Sequence, residues 1–144
     1  MNDLTLERKF AHTPDVVFAH VTQQAHLKEW MGPVTMRCID IDMNLTAGAN
    51  WFAVIENSEG QTHKMSGQVT AIDPPNSVDF TWGWHDENDA RGHESNVRFQ
   101  VKSDGTGGCI FTLIHTNLPD AEAMESHTIG WTSTVTKLEA ILAT

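Results

Sequence analysis

Between about residues 34 and 116 the apolar residues recur at every second position, and from about Asp120 to Ala143 they recur at every third or fourth. A strand sends alternate side chains to opposite faces, whereas a helix gathers positions three and four apart onto one stripe. The first stretch therefore reads as strands, in segments at roughly 34–43, 50–57, 63–72, 77–85, 93–102 and 108–116. Turn chemistry separates them: Ala47-Gly48, Ser58-Glu59-Gly60, Asp73-Pro74-Pro75-Asn76, the polar run Asp86 to Gly92, and Ser103 through Gly108. Connections this short join antiparallel neighbours, because parallel strands need long crossovers. The second stretch reads as one amphipathic helix, with Met124, Thr128, Trp131, Val135, Leu138 and Leu142 on its stripe.

Ahead of the strands, Leu4 to Ala11 alternates Leu4 and Leu6 with charge and reads as an edge strand. Thr13 suits an N-cap and Pro14 a first helical position, with Val17, Phe18 and Val21 following at helical spacing. A second short helix spans about Gln23 to Trp30, and Gly32-Pro33 stops it. The order is strand, two short helices, six strands and one long helix. It predicts an α+β domain over residues 1–144, in which a curved seven-stranded antiparallel sheet wraps the long C-terminal helix. The short helices close one end, and a cavity can open between sheet and helix.

Charge narrows the function. Nine Lys and Arg against 19 Asp and Glu leave a net charge of −10, which repels phosphate backbones and anionic membrane surfaces. Neither nucleic acid nor a membrane is an expected partner, and no apolar run is long enough to span a bilayer. Two cysteines, Cys38 and Cys109, make no disulfide framework, and no secretion signal is visible at the start, so a cytoplasmic setting is expected.

Aromatic residues dominate the candidate site. Phe80, Trp82 and Trp84 share one strand face; Trp51 on a neighbouring strand and Trp131 on the long helix extend it. Such a set either lines a cavity for a small molecule or fills the core. His115 ends the row Cys109, Phe111, Leu113, His115 and shares its apolar face. Its ring either meets a ligand or bonds a backbone carbonyl near residues 30–33 and locks that corner. His127 stands four residues before Trp131, near the same helix face. Asp40 and Asp42 share a strand face with Ile39 and Ile41 turned inward, and a solvated outer face accounts for the carboxylates. His85, Asp86, Glu87, Asp89 and His93 are ligand types for a divalent ion, but their spacing matches no metal site, and polar hairpin loops have this composition anyway. No nucleophile elbow, phosphate-cradling loop or dinucleotide motif occurs, so no cofactor and no metal are expected.

An ordered set of residues carries a family resemblance. Phe10 through Pro14, Val17-Phe18-Ala19, Leu27, Trp30 and Gly32-Pro33 open it. Gly48 with Trp51, Gly67 with Val69, Pro74-Pro75, Phe80-Thr81-Trp82, Thr112-Leu113-Ile114-His115, Leu118 and Gly130-Trp131 continue it. Together they resemble the homologues of the activator of heat-shock-protein-90 ATPase, a family of the START-like (Bet v-type, SRPBCC) superfamily with the helix-grip fold. Met31 departs from the aromatic that often precedes Gly-Pro in that family, and Gly48-Ala49 from a frequent Gly-Gly pair. The resemblance implies a hydrophobic cavity gripped by the last helix, but no single chemistry. A chain of one domain, lacking the additional N-terminal domain of eukaryotic activators, is not expected to activate a chaperone. The combined expectation is a domain, monomeric or weakly dimeric, that binds a small apolar or amphipathic molecule. Trp30, Trp51, Met65, Phe80, Trp82, His115, His127 and Trp131 are the expected lining. The alternatives are a cyclase- or hydratase-type enzyme with a cavity His as general acid or base, and a chaperone-regulating interaction module.

Overall fold

The computed structural model describes residues 2–143. The chain runs β1 (Leu4–Phe10), α1 (Pro14–Thr22), α2 (Gln24–Trp30), β2 (Met36–Asp42), β3 (Asn50–Asn57), β4 (Thr62–Asp73), β5 (Ser77–Trp84), β6 (Ser95–Ser103), β7 (Cys109–Thr116) and α3 (Ala121–Leu142). All seven strands pair antiparallel in one sheet of order β1-β7-β6-β5-β4-β3-β2. Each strand from β2 onward pairs with its successor, and β1 closes the row against β7 with Leu6 opposite Leu113. This is the α+β helix-grip arrangement the periods predict, with element bounds shifted by a residue or two.

The inner face of the sheet and the stripe of α3 share one core. Val78, Phe80, Phe99, Phe111 and Leu113 come from the sheet, and Trp131, Val135, Leu138 and Leu142 from the helix. Of the predicted stripe, Met124 and Thr128 are only partly buried, because the first turns of α3 extend past the core. Asp120 caps α3 by accepting from the Ala123 backbone N–H. Lys137, half-buried, donates to the carbonyls of Met31 and Met36 and ties α3 to the loop after α2. The two short helices break at Gln23, whose extended backbone ends one and starts the other. Thr13 holds the N-cap position of α1, but its side chain makes no cap bond to the backbone.

Two local features shape the β2–β4 end. Between Cys38 and Asp40 the pairing of β2 with β3 shifts register at a bulge. That bulge turns Ile39 outward, 43% exposed, against the expectation that it faces inward; Cys38 and Ile41 are partly buried instead. On β4, Gly67 lies directly under the Trp51 indole, where a Cβ would fall 1.8 Å from the Thr81 carbonyl oxygen. Only glycine leaves room for the Trp51 indole N–H to pass there and donate to that carbonyl at 3.1 Å. No helix among the described residues is long and apolar enough to cross a membrane.

Candidate functional site

A cavity of about 350 Å³ lies between the sheet and α3. The Met31-Gly32-Pro33 loop, Met36 of β2 and Ile55 of β3 bound one side. His63 and Met65 of β4 with Trp82 and Trp84 of β5 form the floor, and Ser126, His127, Gly130, Trp131 and Thr134 of α3 form the opposite wall. The volume falls within the usual range for a small-molecule site. No Asp, Glu, Lys or Arg stands among these wall residues. Trp84 is 37% exposed and marks the mouth, while Trp82 and Trp131 are buried deeper.

Four of the expected lining residues, Met65, Trp82, His127 and Trp131, meet at this cavity. The other four lie behind its wall, each for a packing reason. Trp30 is fully buried, donates to the His20 carbonyl and packs on Phe99. Trp51 is held over Gly67 by its bond to Thr81, and Phe80 is wedged between Trp51 and Phe99.

His115 is the fourth, and it organises the wall from behind. Trp131 Nε1–H donates to its Nδ1 at 2.9 Å, which assigns the ring proton to Nε2. That Nε2–H meets Ser95 Oγ at 2.6 Å, and the Ser95 hydroxyl in turn reaches the Trp82 carbonyl at 3.4 Å. The expected bond to a carbonyl near residues 30–33 is replaced by this relay. Burial, and secondly the neighbouring His127, push the His115 pKa down to about 3 from its ordinary 6.5, so the ring is neutral. His127 meets it edge-on, with ring centres 4.6 Å apart. Trp84 Nε1–H donates to His127 Nε2 at 3.2 Å, leaving the proton of a neutral ring on Nδ1. Burial lowers the His127 pKa as well. Among the described residues one buried side-chain donor has no partner, and it is Trp82 Nε1.

The polar hairpin after β5 brings His85 and Asp89 up to Ser66 of β4, with His85 Nε2 2.6 Å from Ser66 Oγ and Nδ1 2.8 Å from Asp89 Oδ1. The order is that of a nucleophilic triad, but Arg91 Nε donates to the same Ser66 Oγ at 3.1 Å and its guanidinium covers Gly83. The Asp89 carboxylate is largely exposed and also pairs with Lys64. The cluster clamps a hairpin. Among the described residues no three His, Cys, Asp or Glu side chains converge as metal ligands. Burial raises the pKa of both cysteine thiols, which makes them poor nucleophiles.

Sequence reasoning missed much of the mouth. Met31 is legible only as a departure from a family pattern; Ile55, His63 and Thr134 lie on β3, β4 and α3, where periodicity gives a residue's face but not whether that face meets the cavity or packed core.

A seven-stranded antiparallel sheet curled on a long C-terminal helix, with two short helices after the first strand, defines a START-like domain. Residues 11–143 match the model of a family described as activator of Hsp90 ATPase homolog 1-like protein, and the chain belongs to that family. Among solved structures it is similar to the AHSA1 protein from Silicibacter pomeroyi, at 46% identity and TM-score 0.92, over 98% of this chain and 97% of that one. A protein from Chromobacterium violaceum aligns at 18% identity and TM-score 0.86, over 98% of this chain and 96% of that one. A protein from Arthrobacter aurescens aligns at 19% and 0.87, over 98% and 86%. At these two lower identities the likeness is one of fold. No curated protein matches this chain.

Proposed function

We propose that this START-like domain holds one uncharged, largely apolar small molecule between its sheet and α3. The observation that carries the reading is the wall itself: about 350 Å³ bounded mainly by indoles, thioethers and aliphatic groups, with His63, His127, Ser126 and Thr134 as its polar members and no Asp, Glu, Lys or Arg. Apolar contact supplies affinity at roughly 25 cal/mol for each Å² buried. A charged ligand would lose its hydration there and meet no carboxylate, ammonium or guanidinium to pair with. Orientation falls to N–H donors. His127 Nδ1–H stands on a cavity residue, and Trp82 Nε1–H is a buried donor without a partner. A carbonyl or ether oxygen on the ligand would answer either. His115 orients the wall instead of the ligand, since both of its ring nitrogens are engaged. Native mass spectrometry of the protein purified from its own host tests the reading: a co-purified neutral molecule, one per chain, supports it. An apo mass together with no binding across a library of neutral apolar compounds opposes it.

A further inference from the structure

We infer that Gly130 is a specificity-determining position of this cavity, its missing side chain leaving a bare strip of helix against which a flat, uncharged ligand lies. The inference rests on the ligand-binding reading above. Gly130 stands inside the 22-residue helix α3, where glycine is the poorest helix former after proline. Nothing in the packing asks for it. A Cβ at Gly130 would meet no atom within 4 Å, whereas at Gly67 or Gly108 it would collide with backbone. Its backbone is not in the left-handed region that favours glycine. The Thr134 hydroxyl donates to the Gly130 carbonyl at 2.7 Å, a bond that alanine would accept equally well.

What distinguishes the position is where it lies. Gly130 is part of the cavity wall, with Ser126 one turn before it and Thr134 one turn after, both also on the wall. Residues four apart share a helix face, so any side chain at 130 would project from the stretch that Ser126 and Thr134 bracket. Ser126 is exposed and Thr134 buried, which sets Gly130 between the mouth and the interior. A glycine there lets a ligand approach the helix backbone closely, which is the use glycine has wherever a chain must admit a neighbour. A flat molecule can then lie along the bare helix within the cavity, beside Trp131, whose ring packs on Trp82 with centres 5.2 Å apart.

The test sets stability against affinity. The probe is prodan, a flat, neutral naphthalene ketone, titrated into wild type, Gly130→Ala, Gly130→Leu and the neighbouring control Ile129→Ala, whose parent side chain is 65% exposed. Gly130→Ala is expected to raise the urea midpoint, by helix propensity, while weakening prodan about tenfold or more through crowding. Gly130→Leu abolishes binding in a folded protein, and Ile129→Ala binds as wild type does. The inference is overturned if both Gly130 variants bind prodan within twofold of wild type, or if Gly130→Ala lowers the urea midpoint, which would give the glycine a structural reason. Failure of the wild type itself to bind prodan, or any other neutral flat probe, would instead remove the ligand-binding reading on which the inference stands.

Discussion

Trp131 on the last helix donates its indole N–H to His115 on the last strand, at 2.9 Å and out of contact with water. This bond joins the two elements that grip the cavity and fixes the tautomer of the histidine behind its wall. It also makes the fold sensitive to protons. The unfolded imidazole titrates near 6.5, and in the fold the value falls to about 3. Between those values the unfolded chain binds more protons, so stability is complete above about pH 6.5 and is lost as pH falls toward 3. His127 is shifted in the same direction. Asp15, Asp89 and Asp104 are held below the usual carboxylate range and add losses only at lower pH. His115→Gln should therefore flatten the fall in urea midpoint between about pH 6.5 and 4.5 relative to wild type. Parallel curves would contradict the buried neutral state.

Ser95 is the other partner of that ring, itself buried. Ser95→Ala changes little volume but strands the His115 Nε2–H, and leaving a buried donor unanswered costs about 1–3 kcal/mol. Urea melts at neutral pH should show a loss of that size. A loss below about half a kcal/mol, the range of ordinary surface changes, would mean that the relay contributes nothing.

Leu138 and Glu139 separate the two faces of α3. Leu138 is fully buried, so Leu138→Ala should cost about 2–5 kcal/mol. Glu139 reaches Arg8 at 3.4 Å on the surface, and Glu139→Ala should cost well under 1 kcal/mol. Equal losses in denaturant melts would contradict the seating of the helix in the sheet.

Net charge sets a solution property. With −10 at neutral pH and a sequence pI of about 5.0, self-repulsion vanishes in mild acid. Solubility should reach a minimum near that pI and recover at pH values around 8. Turbidity that stays level across this range would contradict it.

Trp131→Ala should act on the ligand as well as on the fold. It opens the wall, removes an aromatic surface worth about 1 kcal/mol beyond its area, and strands His115 Nδ1. Affinity for a planar probe, measured per folded molecule, should fall while bulkier probes gain. Unchanged affinity would place the probe elsewhere.

How far the sequence reaches is clearest from particular residues. The period of Met124 through Leu142 locates α3 and turns Trp131 inward; the alternation Phe80, Trp82, Trp84 does the same for β5. Met65, Trp82, His127 and Trp131 follow from such faces, and they meet at the cavity. Trp30 and Trp51 show where this stops. Each has an apolar ring that a lining would want, yet each is drawn behind the wall by one N–H bond, to His20 and to Thr81. Those carbonyls are 10 and 30 residues away, and no local pattern reports them. Ile39 fails for a related reason: its alternation is unbroken in sequence, and the bulge that turns it out is a property of its pairing with β3.

The central claim, that the cavity takes a neutral small molecule, is tested most directly by titrating the native protein with prodan while exciting tryptophan. Trp82, Trp84 and Trp131 all line the cavity, so bound probe should quench them and emit by energy transfer. The account predicts a saturable response with one site per chain and micromolar or tighter affinity, lost on unfolding in urea. A response that grows in proportion to probe without saturating, with tryptophan emission unchanged, would contradict it.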